Sequence, residues 1–279
     1  MTVFVTKADG SRQIFNKEKV VQTCLRMGAS PQAAREVAEK VERRLYDGIP
    51  TRAVLKMILR FMRSQQPGVG HLYDLKRGLS LMSPRPEFEL FVQVLLAHQG
   101  FQVEANQILK GRCVEHEVDA LATKDGITYF VEAKHHFSYH ALTGLDESRI
   151  ARAVLEDVSE NYTSGGLRVD RAMIITNTRY STHAAQYGRC KNILQVGWSS
   201  PENFGLQKMI EDKKLYPLSC LKGLKSDMRS RLVNSGVVLI KQLLEQDSWA
   251  LARRAGLQHE ALKEVMLKAQ LAANALGYP

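Results

Sequence analysis

The stretch CVEHEVDALATK (113–124), then Asp125-Gly126, then ITYFVEAKHH (127–136) decides the fold of the middle of the chain. The two flanking runs have a composition typical of β-strands. Asp-Gly between such runs indicates a two-residue hairpin loop, because both loop positions require positive φ. The stretch therefore predicts an antiparallel hairpin whose register is fixed by its loop.

Charged side chains gather at the open end of this hairpin. Counting outward from the loop places Asp119 opposite Glu132, and Glu117 opposite Lys134 in the same register. Residues two apart on a strand share a face, so all four side chains project to one side. Facing carboxylates roughly 5 Å apart destabilise a sheet, and a bound divalent cation would offset that repulsion. For Glu117 alone, a solvated hairpin face is the favoured alternative.

The pattern Asp-x12-Glu-Ala-Lys on consecutive strands resembles the PD-(D/E)xK nuclease superfamily, and specifically its Mrr-like restriction-endonuclease domain. A preceding helix and a following helix and buried strand extend the resemblance to about residues 85–205. The resemblance implies that Asp119 and Glu132 are ligands of Mg²⁺ or Mn²⁺ and that Lys134 is the catalytic lysine. It also implies that Glu89 assists the metal site from the preceding helix. Mg²⁺ suits oxygen ligands and keeps waters that can act as nucleophiles.

The N-terminal segment opens with VFVTKADGSRQIF (3–15), a strand pair turned at Asp9-Gly10 and followed by helices. Lys before an Asp-Gly turn, then Phe-Asn and Lys at a helix start, resembles the ATP-cone, the regulatory nucleotide-binding domain of ribonucleotide reductases and their repressor. The resemblance covers about residues 2–82 and implies ATP or dATP as a regulatory ligand. It assigns the phosphate contacts to Lys7, Lys17 and Lys19, with the hairpin around Gly10 approaching the nucleotide. A degenerate cone kept for dimerisation or packing is the alternative.

The C-terminal segment is predicted to be helical, with short helices joined at glycines. This arrangement resembles helix-hairpin-helix modules, which bind duplex phosphates through backbone amides and helix N-termini. The resemblance implies that the DNA-binding residues are Lys222, Lys225, Arg229 and Arg231. A helical protein-interaction bundle is the alternative.

Composition supports a nucleic-acid partner and excludes a membrane span. The chain has 279 residues and a formal net charge of +10, and it contains no run of about 18 apolar residues. Residues 1–82 carry 15 Lys and Arg against 7 Asp and Glu, residues 83–215 carry 15 against 17, and residues 216–279 carry 9 against 5. Four scattered cysteines and the lack of a signal-peptide pattern predict reduced thiols and a cytoplasmic location.

These observations predict an α/β multidomain protein. Its expected domains are a small hairpin-plus-helices ATP-cone (1–82), an α/β/α restriction-endonuclease-like core with a mixed sheet (83–215) and an all-α domain (216–279). The expected function is a Mg²⁺-dependent DNA endonuclease whose activity or assembly responds to ATP or dATP. A nucleotide-responsive DNA-binding regulator without cleavage activity and an RNA nuclease remain open alternatives. A homo-oligomer is an expectation at the level of the ATP-cone family.

Overall fold

A computed structural model describes residues 2–7, 10–27, 29–65, 67–162 and 167–278, and the chain divides into two compact units. The first unit is formed by Met1–Leu72, Leu221–Gly223 and Gln258–Pro279; the second is formed by Tyr73–Cys220 and Leu224–Leu257. The structure therefore differs from the three expected domains: residues 73–82 pack with the nuclease-like core, and the C-terminal segment is shared between both units. Asp9 of the predicted first turn lies outside the described residues.

Helices account for most of both ends of the chain, and the long strands lie in its middle. The helices are α1 (Lys17–Arg26), α2 (Pro31–Glu42), α3 (Thr51–Gln65), α4 (Leu75–Ser80), α5 (Glu89–His98), α6 (Leu145–Tyr162), α7 (Thr182–Cys190), α8 (Leu206–Lys213), α9 (Ser226–Asn234), α10 (Ile240–Leu244), α11 (Ser248–Ala255) and α12 (His259–Ala275). The strands are β1 (Phe4–Thr6), β2 (Arg12–Ile14), β3 (Ile49–Pro50), β4 (Gln102–Lys110), β5 (Glu115–Lys124), β6 (Ile127–Lys134), β7 (Leu142–Thr143), β8 (Arg171–Thr176), β9 (Arg179–Tyr180) and β10 (Leu194–Val196). None of the helices in the described ranges is long and apolar enough to cross a membrane.

The first unit combines a small sheet with four helices. Its strands follow the order β2-β1-β3, and the predicted β1–β2 hairpin is confirmed as an antiparallel pair. Helix α2 begins with a residue pattern typical of helix starts, because Pro31 occupies the first turn and the side chain of Ser30 accepts a hydrogen bond from the Ala33 amide. One apolar face of α2 is fully buried: Ala34, Val37, Ala38 and Val41.

The last helix, α12, completes the core of this first unit. Ala275 belongs to the same apolar cluster as the buried stripe of α2. Close to this residue, a Cβ on Gly68 would lie 2.0 Å from the carbonyl oxygen of Leu271 and 2.9 Å from Cβ of Ala275. Only glycine fits at this approach, so residue 68 is part of the reason α12 can dock at this position.

The second unit is built around a five-stranded mixed sheet in the order β10-β8-β6-β5-β4. The strands β4, β5 and β6 pair antiparallel, while β6, β8 and β10 are parallel to one another. On β8, Ile174 belongs to the cluster that includes Leu155 of α6, and its neighbours Met173 and Ile175 are equally buried. Since successive residues point to opposite faces, both faces of the sheet are covered. The predicted α/β fold class is confirmed, and the C-terminal segment is helical as expected.

Candidate active site

The central hairpin forms around the predicted loop. Asp125 and Gly126 have φ values of 52° and 75°, as a two-residue loop of this kind requires. The β5–β6 ladder begins at Lys124 and Ile127 and continues to Ala120 and Val131. Over these pairs the register is the one that the loop predicts.

Beyond Ala120 the two strands separate, and the predicted facing pairs do not form. The carboxylate of Asp119 instead accepts a hydrogen bond from the amide of Ala133 at 2.7 Å. Strand β5 stays paired with β4 at this end, with Glu117 opposite Ile108. The expected pairing of Glu117 with Lys134 is therefore wrong, because β5 follows β4 rather than β6. Asp119 nevertheless stays beside β6, with its side chain 8% exposed.

Lys134 lies between two carboxylates at the end of β6. Its Nζ is 3.4 Å from Oε2 of Glu132 and 3.3 Å from Oε2 of Glu147 on α6. Burial opposes the charge of this ammonium, but the two carboxylates outweigh burial and raise the pKa of Lys134. The pKa of Glu132 is also raised, because burial outweighs the attraction of Lys134. The lysine is therefore a fixed positive charge at the strand end.

A second group of charges surrounds Asp119. Arg85 places its Nε 2.5 Å from Oε1 of Glu89, and its terminal nitrogens lie 3.6 Å from Asp119 and 3.7 Å from Glu117. Burial and the neighbouring Asp119 raise the pKa of Glu89 to about 7, against the opposing effect of Arg85. Burial is the larger of the two causes, and the nearby charge of Asp119 adds to it.

A buried polar network holds the strand end that carries Lys134. The amide of His136 donates to Oδ1 of Asn177, and Nδ2 of Asn177 donates to the carbonyl of His136, both at 2.8 Å. The ring of His136 contacts the hydroxyl of Thr143, which in turn donates to Thr176 at 2.9 Å. These contacts fix the position of the chain immediately after the catalytic candidate.

The chemistry of these side chains fits a hard divalent cation. Asp119 and Glu132 offer oxygen ligands, and burial, with a smaller contribution from Asp119, raises the pKa of both Glu132 and Glu89. In the described part of the chain, no three His, Cys, Asp or Glu side chains are grouped as metal ligands. Mg²⁺ commonly keeps several waters and takes one or two carboxylates, which is the number that Asp119 and Glu132 provide.

A cleft of about 490 Å³ opens beside Glu89. It is lined on one side by Pro86 and Gln93 and on another by Asn234 and Gly236, at the end of α9. Residues at the end of α9 thus contribute to the wall of the cleft beside Glu89.

The residues predicted to bind nucleotide are in different environments. Gly10 has a φ of 80° and donates its amide to the carbonyl of Lys7 at 3.0 Å, within the first hairpin. Lys17 forms an exposed ion pair with Glu42 at 2.8 Å. Lys19 lines a cavity of about 190 Å³ whose other walls are mostly apolar. Of the four residues, Lys19 is the one that lines this cavity.

The residues predicted to bind DNA fall in both units. Lys222 belongs to the first unit, where its Nζ donates to the carbonyl of Gly70, whereas the other three belong to the second. Arg231 pairs with Asp227 on the same helix, and Lys225 is the residue that precedes α9.

Arg229 differs most from its predicted role. Its Nε lies 3.0 Å from Oε1 of Glu87, whose side chain is buried at 5% exposure, while that of Arg229 is mostly covered at 15% exposure. It also donates to the carbonyl of Leu81 at 2.6 Å. The guanidinium therefore faces the interior of the protein in this structure, where it neutralises a buried acid.

Two site residues, Arg85 and Glu147, were not predicted. Glu147 lies in the first turn of α6. The distance between Glu147 and Lys134 is set by where α6 lies on the sheet. Arg85 precedes Glu89 by four residues, but its backbone is extended at φ −123° and ψ 139°, so helical spacing does not describe the pair. Neither contact had a signal in the local sequence.

Comparison with known proteins supports the interpretation of the second unit. Residues 80–196 match the Mrr_cat family, described as restriction endonuclease. An uncharacterized protein of Archaeoglobus fulgidus is 33% identical over 176 residues, which are 63% of this chain and 96% of that protein. The crystal structure of AF1548, a protein of unknown function, matches with a TM-score of 0.60 and 32% identity, over 68% of this chain and 97% of the other.

A weaker similarity involves a complex with nucleic acid. MspJI restriction endonuclease, solved with a 27-mer oligonucleotide, has a TM-score of 0.29 and 10% identity, over 85% of this chain and 48% of its own. The matched range 80–196 contains the hairpin, Glu89 and Glu147. By this match, residues 80–196 of the chain form a Mrr_cat restriction endonuclease domain.

Proposed function

We propose that this protein is a DNA endonuclease that depends on Mg²⁺ or Mn²⁺. The observation that carries the proposal is the position of Lys134, which is held between Glu132 and Glu147 at the end of the strand beside Asp119. A lysine, two acidic oxygen ligands and an open cleft are the components that metal-assisted phosphodiester hydrolysis requires. The family membership of residues 80–196 agrees with this chemistry.

Each residue has a defined role in the proposed reaction. Asp119 and Glu132 would hold the cation, which when bound supplies Lewis acidity and a water of lowered pKa. Lys134 lies where its ammonium can orient the attacking water and offset the charge that develops on the phosphate. Glu147 positions that ammonium from α6, and Glu89 adds negative charge on the other side of Asp119.

A cleavage assay with the full chain tests this proposal. Supercoiled plasmid, linear DNA and RNA of the same sequence are incubated with the protein in Mg²⁺, in Mn²⁺ and in EDTA. The proposal expects cleavage of DNA with either metal and intact DNA in EDTA. Cleavage of RNA alone would favour the ribonuclease alternative, and metal-independent DNA binding without cleavage would favour the regulator.

We also propose that the first unit binds ATP or dATP and that the nucleotide controls activity or assembly. Support comes from the cavity of about 190 Å³, where Lys19 stands beside the apolar side chains of Val20, Val54 and Ile58. An apolar wall next to one ammonium suits a base attached to phosphates. A nucleotide-dependent homo-oligomer remains a prediction.

Replacement of Lys19 with alanine is expected to weaken ATP binding about tenfold, because one charge-assisted phosphate contact is lost. Titration calorimetry on the full chain with ATP and dATP measures the effect, and Lys7→Ala tests the hairpin contact in the same way. Lys40→Ala, on the exposed face of α2, is the control for a general change in charge. Unchanged affinity in Lys19→Ala would exclude this cavity as the phosphate site.

A further inference from the structure

Arg85 bridges three carboxylates of the candidate active site. It is within 2.5 Å of Glu89, 3.6 Å of Asp119 and 3.7 Å of Glu117. Its charge is stabilised mainly by Glu89, and then by Asp119 and Glu117, all of which raise its pKa. A single guanidinium therefore contacts all three acids on this side of the site.

This arginine reaches the acids from outside the core. Its side chain is 66% exposed, whereas Asp119 is 8% and Glu89 is 14% exposed. By contrast, the side chain of Arg229 is only 15% exposed, and it also donates to a backbone carbonyl. Because its side chain is largely exposed, Arg85 can leave Asp119 and Glu117 without opening a cavity. Its contacts with these two acids are long, at 3.6 and 3.7 Å, whereas the contact with Glu89, at 2.5 Å, is the closest of the three.

We infer that Arg85 is a built-in counter-ion of the metal site, which occupies the carboxylates in the metal-free protein and is displaced when a divalent cation binds. The inference rests on the proposed metal-dependent function, in which Asp119 is a ligand. A divalent cation at Asp119 and a guanidinium at 3.6 Å from the same carboxylate repel each other. Arg85 therefore lowers the affinity for the cation, and it also limits the repulsion among Glu89, Asp119 and Glu117 while the cation is absent.

Binding of Mn²⁺ alone, without DNA, tests this role on the full chain. Free Mn²⁺ is measured by electron paramagnetic resonance during titration of the metal-free protein. Arg85→Gln is expected to bind Mn²⁺ about tenfold more tightly than wild type, because several weak charge contacts no longer compete. Arg112→Gln removes an arginine of similar exposure, 71%, that pairs with Glu160 elsewhere on the same unit, and it should bind as wild type.

Two further variants separate charge from folding and from the metal site itself. Arg85→Lys keeps the positive charge but not the planar fork, so its affinity for Mn²⁺ should fall between those of wild type and Arg85→Gln. Asp119→Asn should lose Mn²⁺ binding. Thermal unfolding in EDTA and in Mn²⁺ should show a larger stabilisation by the metal in Arg85→Gln than in wild type.

The outcomes distinguish this inference from the proposed function. If wild type and Arg85→Gln bind Mn²⁺ with equal affinity while Asp119→Asn does not bind it, the proposed role of Arg85 is wrong. The proposed metal site is then still supported. Binding by Arg85→Gln but not by wild type supports the inference in its strongest form. If neither protein binds Mn²⁺, or if Asp119→Asn binds as wild type does, both the inference and the proposed metal site fall.

Discussion

Lys134→Ala is expected to lower the single-turnover rate of DNA cleavage about a thousandfold, a loss similar to that seen when one group that stabilises transition-state charge is removed. The ammonium of Lys134 is held by Glu132 at 3.4 Å and by Glu147 at 3.3 Å, so it needs little reorganisation when charge develops on the phosphate. Alanine leaves both carboxylates but removes this fixed charge. The effect should appear in the rate at saturating DNA and Mg²⁺.

A matched control is available on the same hairpin. Lys124 lies at the loop end of β5, where its Nζ donates to the carbonyl of Gln99, far along the strand from Asp119. Lys124→Ala should therefore cleave within a few-fold of wild type. Mn²⁺ binding should persist in Lys134→Ala, since the carboxylates remain and a competing cation is gone. Cleavage by Lys134→Ala at the wild-type rate would contradict the proposed mechanism.

Local signals predicted the hairpin well. The Asp125-Gly126 loop sets the register from Lys124 to Ala120, because a two-residue loop leaves no freedom in the pairing near it. The loop determines the register only over the first five residue pairs. From Asp119 onward, β5 can stay paired with β4 or with β6, and the loop does not decide between them. The sequence had no way to show that β5 would stay with β4 and turn Glu117 away from Lys134.

The sequence could not predict contacts between residues that are brought together only by the packing of helices on the sheet. Glu147 reaches Lys134 because α6 lies on the sheet through residues such as Leu155. The position of α12 in the first unit was also not predictable from the sequence. It depends on tertiary contacts, namely the packing of Ala275 in that core and the close approach of Gly68 to Leu271. Net charge by segment likewise does not reveal pairing, since the sequence alone does not show that Arg229 contacts Glu87.

Arg229→Ala is expected to reduce the free energy of unfolding by about 3 kcal/mol, because it leaves the buried carboxylate of Glu87 without its counter-charge. Burial already raises the pKa of Glu87, against the opposing effects of the Ser83 amide and Arg229. An acid whose pKa is raised on folding is stabilising below its unfolded pKa and loses that contribution as the pH rises through the folded value. The loss in Arg229→Ala should therefore be larger at pH 8 than at pH 5, where Glu87 can take a proton.

Chemical unfolding of the full chain at both pH values measures this effect. Arg231→Ala is the control on the same helix, since its pair with Asp227 is exposed and is worth less than about 1 kcal/mol. Glu87→Gln should recover part of the stability when combined with Arg229→Ala, because the uncompensated charge is gone. Wild-type stability in Arg229→Ala together with weakened DNA binding would instead restore this arginine as a DNA contact, because a guanidinium that the fold does not need is free to bind phosphate.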